Sequence, residues 1–238
     1  MSRLVKWLDG VFYPTFQDNW DDALFREEIL SAIRPYQHVL DLGAGAGIVA
    51  QMNFRGRAAR VCGVDPDTRV QSNPYLDEGK IGVGESIPYA DSCFDVVFAD
   101  NVLEHLDEPA AVFSEIHRVL KPGGLFLAKT PNRWHYMPII AQLTPHAFHQ
   151  YVNRLRGRDS SDTFPTRYRV NSPAAVRRYA ALAGFEVEGI RLSEGRPEYL
   201  RISFPTYLLG LIYERLVNAI QFLSRFRILL IVRLRKGL

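Results

Sequence analysis

The ten residues from 38 to 47, His-Val-Leu-Asp-Leu-Gly-Ala-Gly-Ala-Gly, constrain this chain more than any other stretch. The apolar run Val39, Leu40 and Leu42 reads as a short strand buried on both faces, as in a parallel sheet. It breaks into Gly43, Gly45 and Gly47, and a helix is predicted from Ile48 to Ala59. Glycine permits positive φ and lets another molecule approach the backbone closely. Strand, glycine turn and helix start together make a nucleotide-type site at the carboxyl end of a strand. The dinucleotide fingerprint would space its glycines as Gly-x-Gly-x-x-Gly and set a phosphate on the helix dipole. Here the order is Asp41-x-Gly43-x-Gly45-x-Gly47, with Ala44 inside the turn. A carboxylate at that mouth repels pyrophosphate and suits a cationic ligand.

Four further motifs follow in order. They are Val61-Cys-Gly-Val-Asp65-Pro66-Asp, Glu85-Ser-Ile-Pro-Tyr89, Phe94-Asp-Val-Val-Phe-Ala-Asp100-Asn101-Val-Leu-Glu104-His105-Leu106, and Leu120-Lys-Pro-Gly-Gly-Leu-Phe-Leu127. With the glycine turn, residues 39 to 132 resemble the class I S-adenosylmethionine-dependent methyltransferases, in particular the small-molecule subgroup called type 11. The resemblance implies an α/β fold with a Rossmann-like, doubly wound sheet of seven strands, the last antiparallel. It implies S-adenosyl-L-methionine as cofactor; the histidines and acids lack metal-ligand spacing and the cysteines are isolated, so no metal is expected.

The candidate cofactor site takes residues from several strand ends. Asp41, Gly43, Ala44, Gly45 and Gly47 form the turn after strand one. Asp65, beside Pro66 at the tip of strand two, can accept hydrogen bonds from both ribose hydroxyls of a nucleoside. Strand three and the adenine loop fall within residues 80–89. There the chain departs from the family, which often places an Asp two residues before Glu85. This chain has Val83 there, so Gly84 and Glu85 are the candidates for holding adenine. By resemblance, Asp100 and Asn101 at the tip of strand four meet the methionine end. His105 is a candidate for cofactor or substrate contact, against a purely structural role. The helix Pro109–Leu120, stopped by Lys121-Pro-Gly-Gly124, is read as scaffold.

Residues 37–204 are read as the core, with a cap before it, an insertion within it and a tail after it. Residues 1–36 read as a helical cap, with a helix from about Asp21 to Ile33 ended by Pro35. Residues 130–171 form a long insertion after strand five, aromatic and basic, read as a lid that binds the acceptor. Its His135, His146, His149 and Tyr136 are the candidates for proton abstraction and orientation, needed only where the acceptor has a high pKa. Strand six is expected at Glu186–Leu192 and strand seven at Tyr199–Phe204, joined by a hairpin at Gly195-Arg-Pro197. Residues 205–238 read as an amphipathic, basic helical tail. Leu209, Ile212, Leu216, Ile220, Leu223 and Phe226 fall on one side; Glu214, Asn218, Gln221 and Arg225 fall opposite. That pattern fits a helix at an anionic membrane surface, the alternatives being packing on its own domain or a homodimer.

Charge sharpens the division. Residues 1–128 carry 11 basic and 19 acidic side chains, and residues 129–238 carry 18 and 7, so the second half is expected to face something anionic. The N-terminus lacks a signal-peptide pattern and no long charge-free apolar run exists, so a cytoplasmic protein, peripheral on the inner face of the cell membrane, is expected. The isolated cysteines, Cys62 and Cys93, suit a reducing compartment. The leading reading is methyl transfer to a small-molecule or lipid-linked acceptor, a sugar, lipid or quinone-like hydroxyl or carboxyl. A cofactor-binding scaffold without turnover is the alternative. Nucleic-acid methylation ranks lower, since no Asn-Pro-Pro-Tyr or catalytic Cys motif is present, and no nucleic-acid partner is expected.

Overall fold

The computed structural model describes residues 3–16, 19–143 and 165–238. Helices α1 (Arg3–Phe12) and α2 (Trp20–Ala32) precede strands β1 (His38–Leu42), β2 (Arg60–Asp65), β3 (Glu78–Ile81) and β4 (Phe94–Asp100). Then come α3 (Pro109–Val119), β5 (Leu120–Pro131), α4 (Tyr136–Leu143), α5 (Pro173–Ala183), β6 (Phe185–Ser193), α6 (Phe204–Ala219) and β7 (Leu229–Lys236). The seven strands form one sheet in the order β3-β2-β1-β4-β5-β7-β6. The β1–β2, β1–β4, β2–β3 and β4–β5 pairs are parallel. Gly123 N donates to Gly237 O and Asn132 N to Ile228 O, so the last strand runs antiparallel to β5. The doubly wound α/β fold expected from the sequence is the one adopted.

The central strands read as continuous apolar runs because both faces are covered. Val39, Leu40, Val96, Val97, Phe98, Phe126 and Leu127 are all fully buried. Local signals set the helix ends. Ser172 caps α5 by accepting from Ala175 N, Pro173 opens it, and Gly184 closes it in the left-handed region at φ 82°. Ser203 and Thr206 form a capping box at the start of α6.

Two elements differ from expectation. No α-helix follows the glycine turn; residues 48–59 hold only a 3₁₀ turn at Ala50–Met52. Fully buried Phe54 anchors the segment edge-on against Phe98, 5.2 Å between ring centroids. The Arg26 guanidinium donates to the carbonyls of Gln51 and Asn53, and Gly56 turns the chain at φ 77°. A helix would leave those carbonyls within its own ladder and carry Phe54 away from the sheet.

The second correction concerns the end of the chain. Residues 199–204 are a 3₁₀ turn and the start of α6, and the seventh strand is Leu229–Lys236, taken from the expected tail. Val232 and Leu234 are buried, while Arg233 and Arg235 alternate outward and both donate to the Glu188 carboxylate. Period two, not helical periodicity, governs this segment. The tail is helical over Phe204–Ala219, where its orientation reverses a simple amphipathic expectation: Glu214 is buried and Leu209 and Ile212 are more than half exposed.

The chain divides into two compact units. One comprises residues 21–130, 166–191 and 230–238 and carries the sheet. The other comprises residues 1–20, 131–165 and 192–229. Within it Val5, Leu8 and Tyr13 pack with Tyr207, Phe16 and Leu211. Tyr13 Oη and Asn218 Nδ2 donate to the two oxygens of buried Glu214, and Tyr207 Oη donates to Asp9. No helix among the described residues is long and apolar enough to cross a membrane.

Candidate active site

In the sheet-bearing unit, β1 delivers the glycine turn to the edge where β1 and β4 lie side by side and the chain connections reverse. Gly43 N and Ala44 N both donate to Val64 O, folding the turn over the end of β2. Gly43 has φ 84°, and a Cβ there would lie 2.4 Å from Val102 Cγ2, so only glycine fits. The Asp65 carboxylate is fixed at both oxygens: Oδ2 accepts from Gly45 N at 2.9 Å and Oδ1 from Asp67 N at 2.8 Å. Each oxygen keeps a further lone pair for a ligand hydroxyl.

Asn73 had no sequence signal beyond standing before Pro74, yet it orders the turn. Its Nδ2 donates to the carbonyls of Ala44 and Gly45, and its Oδ1 accepts from Tyr75 N. A residue that ties the turn to the loop after β2 keeps Asp65 and the glycines in one arrangement.

Negative charge gathers at the strand ends. Asp41 is 7% exposed, and burial first, then Asp100 and Asp65, holds its carboxyl well above the usual range. Burial likewise pushes Asp100 up to about 6, against the pull of Lys129. Lys129 closes β5 with no exposure and pairs with Asp100 at 2.9 Å, Asp21 at 3.1 Å and Asp22. Burial alone would lower the ammonium's pKa; the three carboxylates hold it above the ordinary lysine value. Asp21 and Asp22 stand in the first turn of α2, where the helix dipole also favours them. Asp21, Asp22 and Asp100 against one lysine leave an acidic mouth suited to a cation. Neither Asp21, Asp22 nor Lys129 was picked out by the motifs, because their pairing spans more than a hundred residues.

Beyond β4 the backbone is held in a tight turn. Asn101 adopts φ 53° and donates its N–H to Lys129 O. Such left-handed non-glycine residues cluster at functional sites. Glu104 is buried and raised above the usual carboxylate range by that burial. Its Oε2 accepts from Thr130 Oγ1 at 2.7 Å, and Thr130 Oγ1 accepts from Asn171 Nδ2 at 2.7 Å. Glu104 O also accepts from Arg167 N and Tyr168 N, so the segment returning at residue 166 is stitched to the turn after β4. His105 ends the short 3₁₀ turn Leu103–His105, its N–H bonded to Val102 O. Thus Asp41, Gly43, Ala44, Gly45, Gly47, Asp65, Asp100, Asn101 and His105 lie in one unit, organised around the ends of the neighbouring strands β2, β1 and β4. Pro66 directly follows Asp65 at the end of β2. Gly84 lies against Val112, and Glu85 beside it is exposed.

The acceptor-side candidates stand differently. His146 and His149 lie outside the described residues. His135 and Tyr136 belong to the other unit, their rings 4.0 Å apart, with Tyr213 edge-on to both. His135 is 1% exposed, and burial lowers its pKa to about 3, keeping it neutral. Its Nδ1 accepts from Met137 N, and Nε2 lies 3.6 Å from Glu194. Burial raises Glu194 to about 8. As placed, His135 is a closed-off imidazole.

The arrangement fits a ribose-bearing cation: a glycine turn open to close approach, a carboxylate fixed at the tip of β2, and uncompensated acid at the mouth. Comparison with known proteins agrees. Residues 40–128 match the family model described as a methyltransferase domain. A probable S-adenosylmethionine-dependent methyltransferase of Mycolicibacterium smegmatis is 34% identical over 155 residues, covering 63% of this chain and 52% of the relative. The ubiquinone biosynthesis O-methyltransferase of Albidiferax ferrireducens is 30% identical over 169 residues, covering 63% of this chain and 65% of the relative. The chain thus spans about half the length of the first relative and just under two thirds of the second. The fold superposes on geranyl diphosphate C-methyltransferase from Streptomyces coelicolor, solved with S-adenosyl-L-homocysteine, at a TM-score of 0.56 and 17% identity, covering 91% of this chain and 78% of that one. Motifs, fold and relatives converge on one stretch: residues 40–128 match the type 11 methyltransferase domain, and there the chain is similar to S-adenosylmethionine-dependent methyltransferases.

Proposed function

We propose that the chain transfers a methyl group from S-adenosylmethionine to a small-molecule or lipid-linked acceptor, a sugar, lipid or quinone-like hydroxyl or carboxyl. The observation that carries this is the Asp65 carboxylate, fixed by Gly45 N and Asp67 N beside an acidic strand-end cluster. When bound, the cofactor supplies a methyl group activated on a sulfonium, and the protein supplies orientation and desolvation. Asp65 takes the ribose hydroxyls, and the turn from Gly43 to Gly47 lies along the cofactor's backbone side. Gly84 and Glu85 border adenine in place of the acid that Val83 replaces. Asp41 and Asp100 face the cationic methionine end, with Asn101 and His105 at the adjoining turn. Lys129 is a positioning residue: it orients Asp100 and ties it to α2 through Asp21 and Asp22.

Residues 130–171 serve as the acceptor-binding lid and residues 1–36 as a cap. For a hydroxyl acceptor the proton is taken by His146 or His149, since His135 is closed off and burial makes its imidazole a weak base. The ubiquinone O-methyltransferase relative supports an acceptor that partitions with lipid. The proposed location is the cytoplasm, with attachment to the inner face of the membrane; two free thiols among the described residues support a reducing compartment.

The test is transfer from methyl-labelled cofactor into host-cell extract, separated into organic, aqueous and nucleic-acid fractions. Label in the organic or small-molecule aqueous pool is expected. Label confined to nucleic acid, or none despite confirmed cofactor binding, would overturn the acceptor class.

A further inference from the structure

Helices α1 and α6 pack on each other through Val5, Leu8, Tyr207 and Leu211, yet each leaves an apolar stripe in solvent. On α1 the stripe is Leu4, Trp7 and Val11, with Trp7 61% exposed. On α6 it is Leu209, Ile212 and Leu216, all at least 46% exposed, continued past the helix end by Ile220 at 44% and Phe222 at 68%. The spacings i, i+3 and i+7 place each set on one helical face. Soluble surfaces carry single apolar residues freely, but contiguous stripes mark an interaction site.

The charges on these helices are sorted. Both acids turn inward: Asp9 is bonded by Tyr207 and paired with Arg201, and Glu214 is 4% exposed and bonded by Tyr13 and Asn218. The cations turn outward: Arg3 and Lys6 on α1 and Arg215 on α6 are exposed, as is Arg225 beyond it, stacked over Phe222 at 3.9 Å. An apolar face whose exposed charges, among the described residues of α1 and α6, are cations, with an exposed tryptophan, matches the boundary between anionic headgroups and acyl chains. A second copy is a poorer occupant, because a two-fold pairing would set this cationic rim against itself.

We propose that this paired face of α1 and α6 docks the protein on an anionic phospholipid surface. It deepens the membrane reading above and replaces the expected basic tail: Arg233, Arg235 and Lys236 are bonded within the sheet unit, so headgroup contact falls to Arg3, Lys6, Arg215 and Arg225. Leu4, Trp7 and Val11, read before only as part of a cap, become half of the surface.

The experiment is flotation of the full chain with vesicles of phosphatidylcholine, with and without a quarter phosphatidylglycerol. Wild type is expected to float with the anionic vesicles and to lose at least about tenfold in affinity on pure phosphatidylcholine, each headgroup-facing cation being worth about fivefold. The variant Leu209→Gln/Ile212→Gln/Leu216→Gln is expected to lose at least about tenfold on anionic vesicles, with unchanged cofactor titration. Trp7→Ser tests α1 by the same measure should the triple variant fail to fold. Wild type staying with the aqueous layer, variants that float undiminished, or an α6 variant that only breaks a dimer would each overturn the proposal. A docking failure with intact methyl transfer to a soluble acceptor would leave the proposed chemistry standing.

Discussion

Replacing Lys129 by Met removes one charge from the centre of the site while nearly keeping the side-chain volume, so packing contributes little to the result. Three carboxylates then lose their counter-ion. Breaking a buried pair by deleting one partner costs about 3–5 kcal/mol, because the remaining charge stays buried. Two features reduce that figure here. The Asp21 side chain is 34% exposed, so solvent screens its share. Asp21 and Asp22 also keep the field of the α2 N-terminus, worth about 0.3–1 kcal/mol each. Asp100 dominates the remainder, and the expected loss is about 2–4 kcal/mol at pH 8, read by equilibrium urea unfolding. The sign with pH is fixed by Asp100, whose native pKa is already pushed to about 6 and must climb without the lysine. An acid whose pKa is raised on folding costs nothing below its unfolded value near 4, and the penalty grows as pH rises towards its folded value. The deficit of Lys129→Met is therefore largest at pH 8 and shrinks towards pH 5. A deficit below about 1 kcal/mol, or one equal at pH 5 and pH 8, would refute the charge argument.

Other outcomes follow from neighbouring residues. Asp65→Ala is expected to weaken cofactor binding by about 1–3 kcal/mol, several-fold to a hundredfold, by calorimetric titration, and unchanged affinity would remove the ribose assignment. Gly47→Ala puts a Cβ 2.2 Å from Asn73 Oδ1 at φ 72°, so cofactor affinity and stability should both fall, and an unaffected protein would show that the turn is not held as described. Glu194, raised to about 8 by burial, is neutral in the fold near pH 7 but ionised once unfolded, so wild-type stability should fall as pH rises from about 4.5 to 8. Glu194→Gln should flatten that slope in melts across the range, and an unaltered slope would contradict a protonated Glu194.

The core of the fold was legible because its signals are local and repeated: apolar runs ending in Gly43, Asp65 and Asp100 mark three strand tips without any knowledge of pairing. The Ser172-Pro173 start and Gly184 stop of α5 are equally local. What escaped depends on distant partners. The segment after Gly47 follows the burial of Phe54 on Phe98 and the reach of Arg26, which no periodicity encodes. Leu229–Lys236 is rich in arginine and leucine and passes for an amphipathic helix, although Ile231, Val232 and the Arg233–Leu234–Arg235 alternation were strand signals in view. Glu214 looked like a solvent-facing residue because its partner Tyr13 lies 201 positions away. The Lys129 cluster is hidden for the same reason, its carboxylates lying 107 and 108 residues upstream and at the end of another strand.

The most direct test of the central claim is calorimetric titration of the full chain with S-adenosyl-L-homocysteine beside adenosine diphosphate. The account predicts saturable binding of the first at one site per chain, with little binding of the second, whose phosphates meet Asp41, Asp65 and Asp100. No binding of S-adenosyl-L-homocysteine at millimolar concentration, or a preference for the diphosphate, would contradict it.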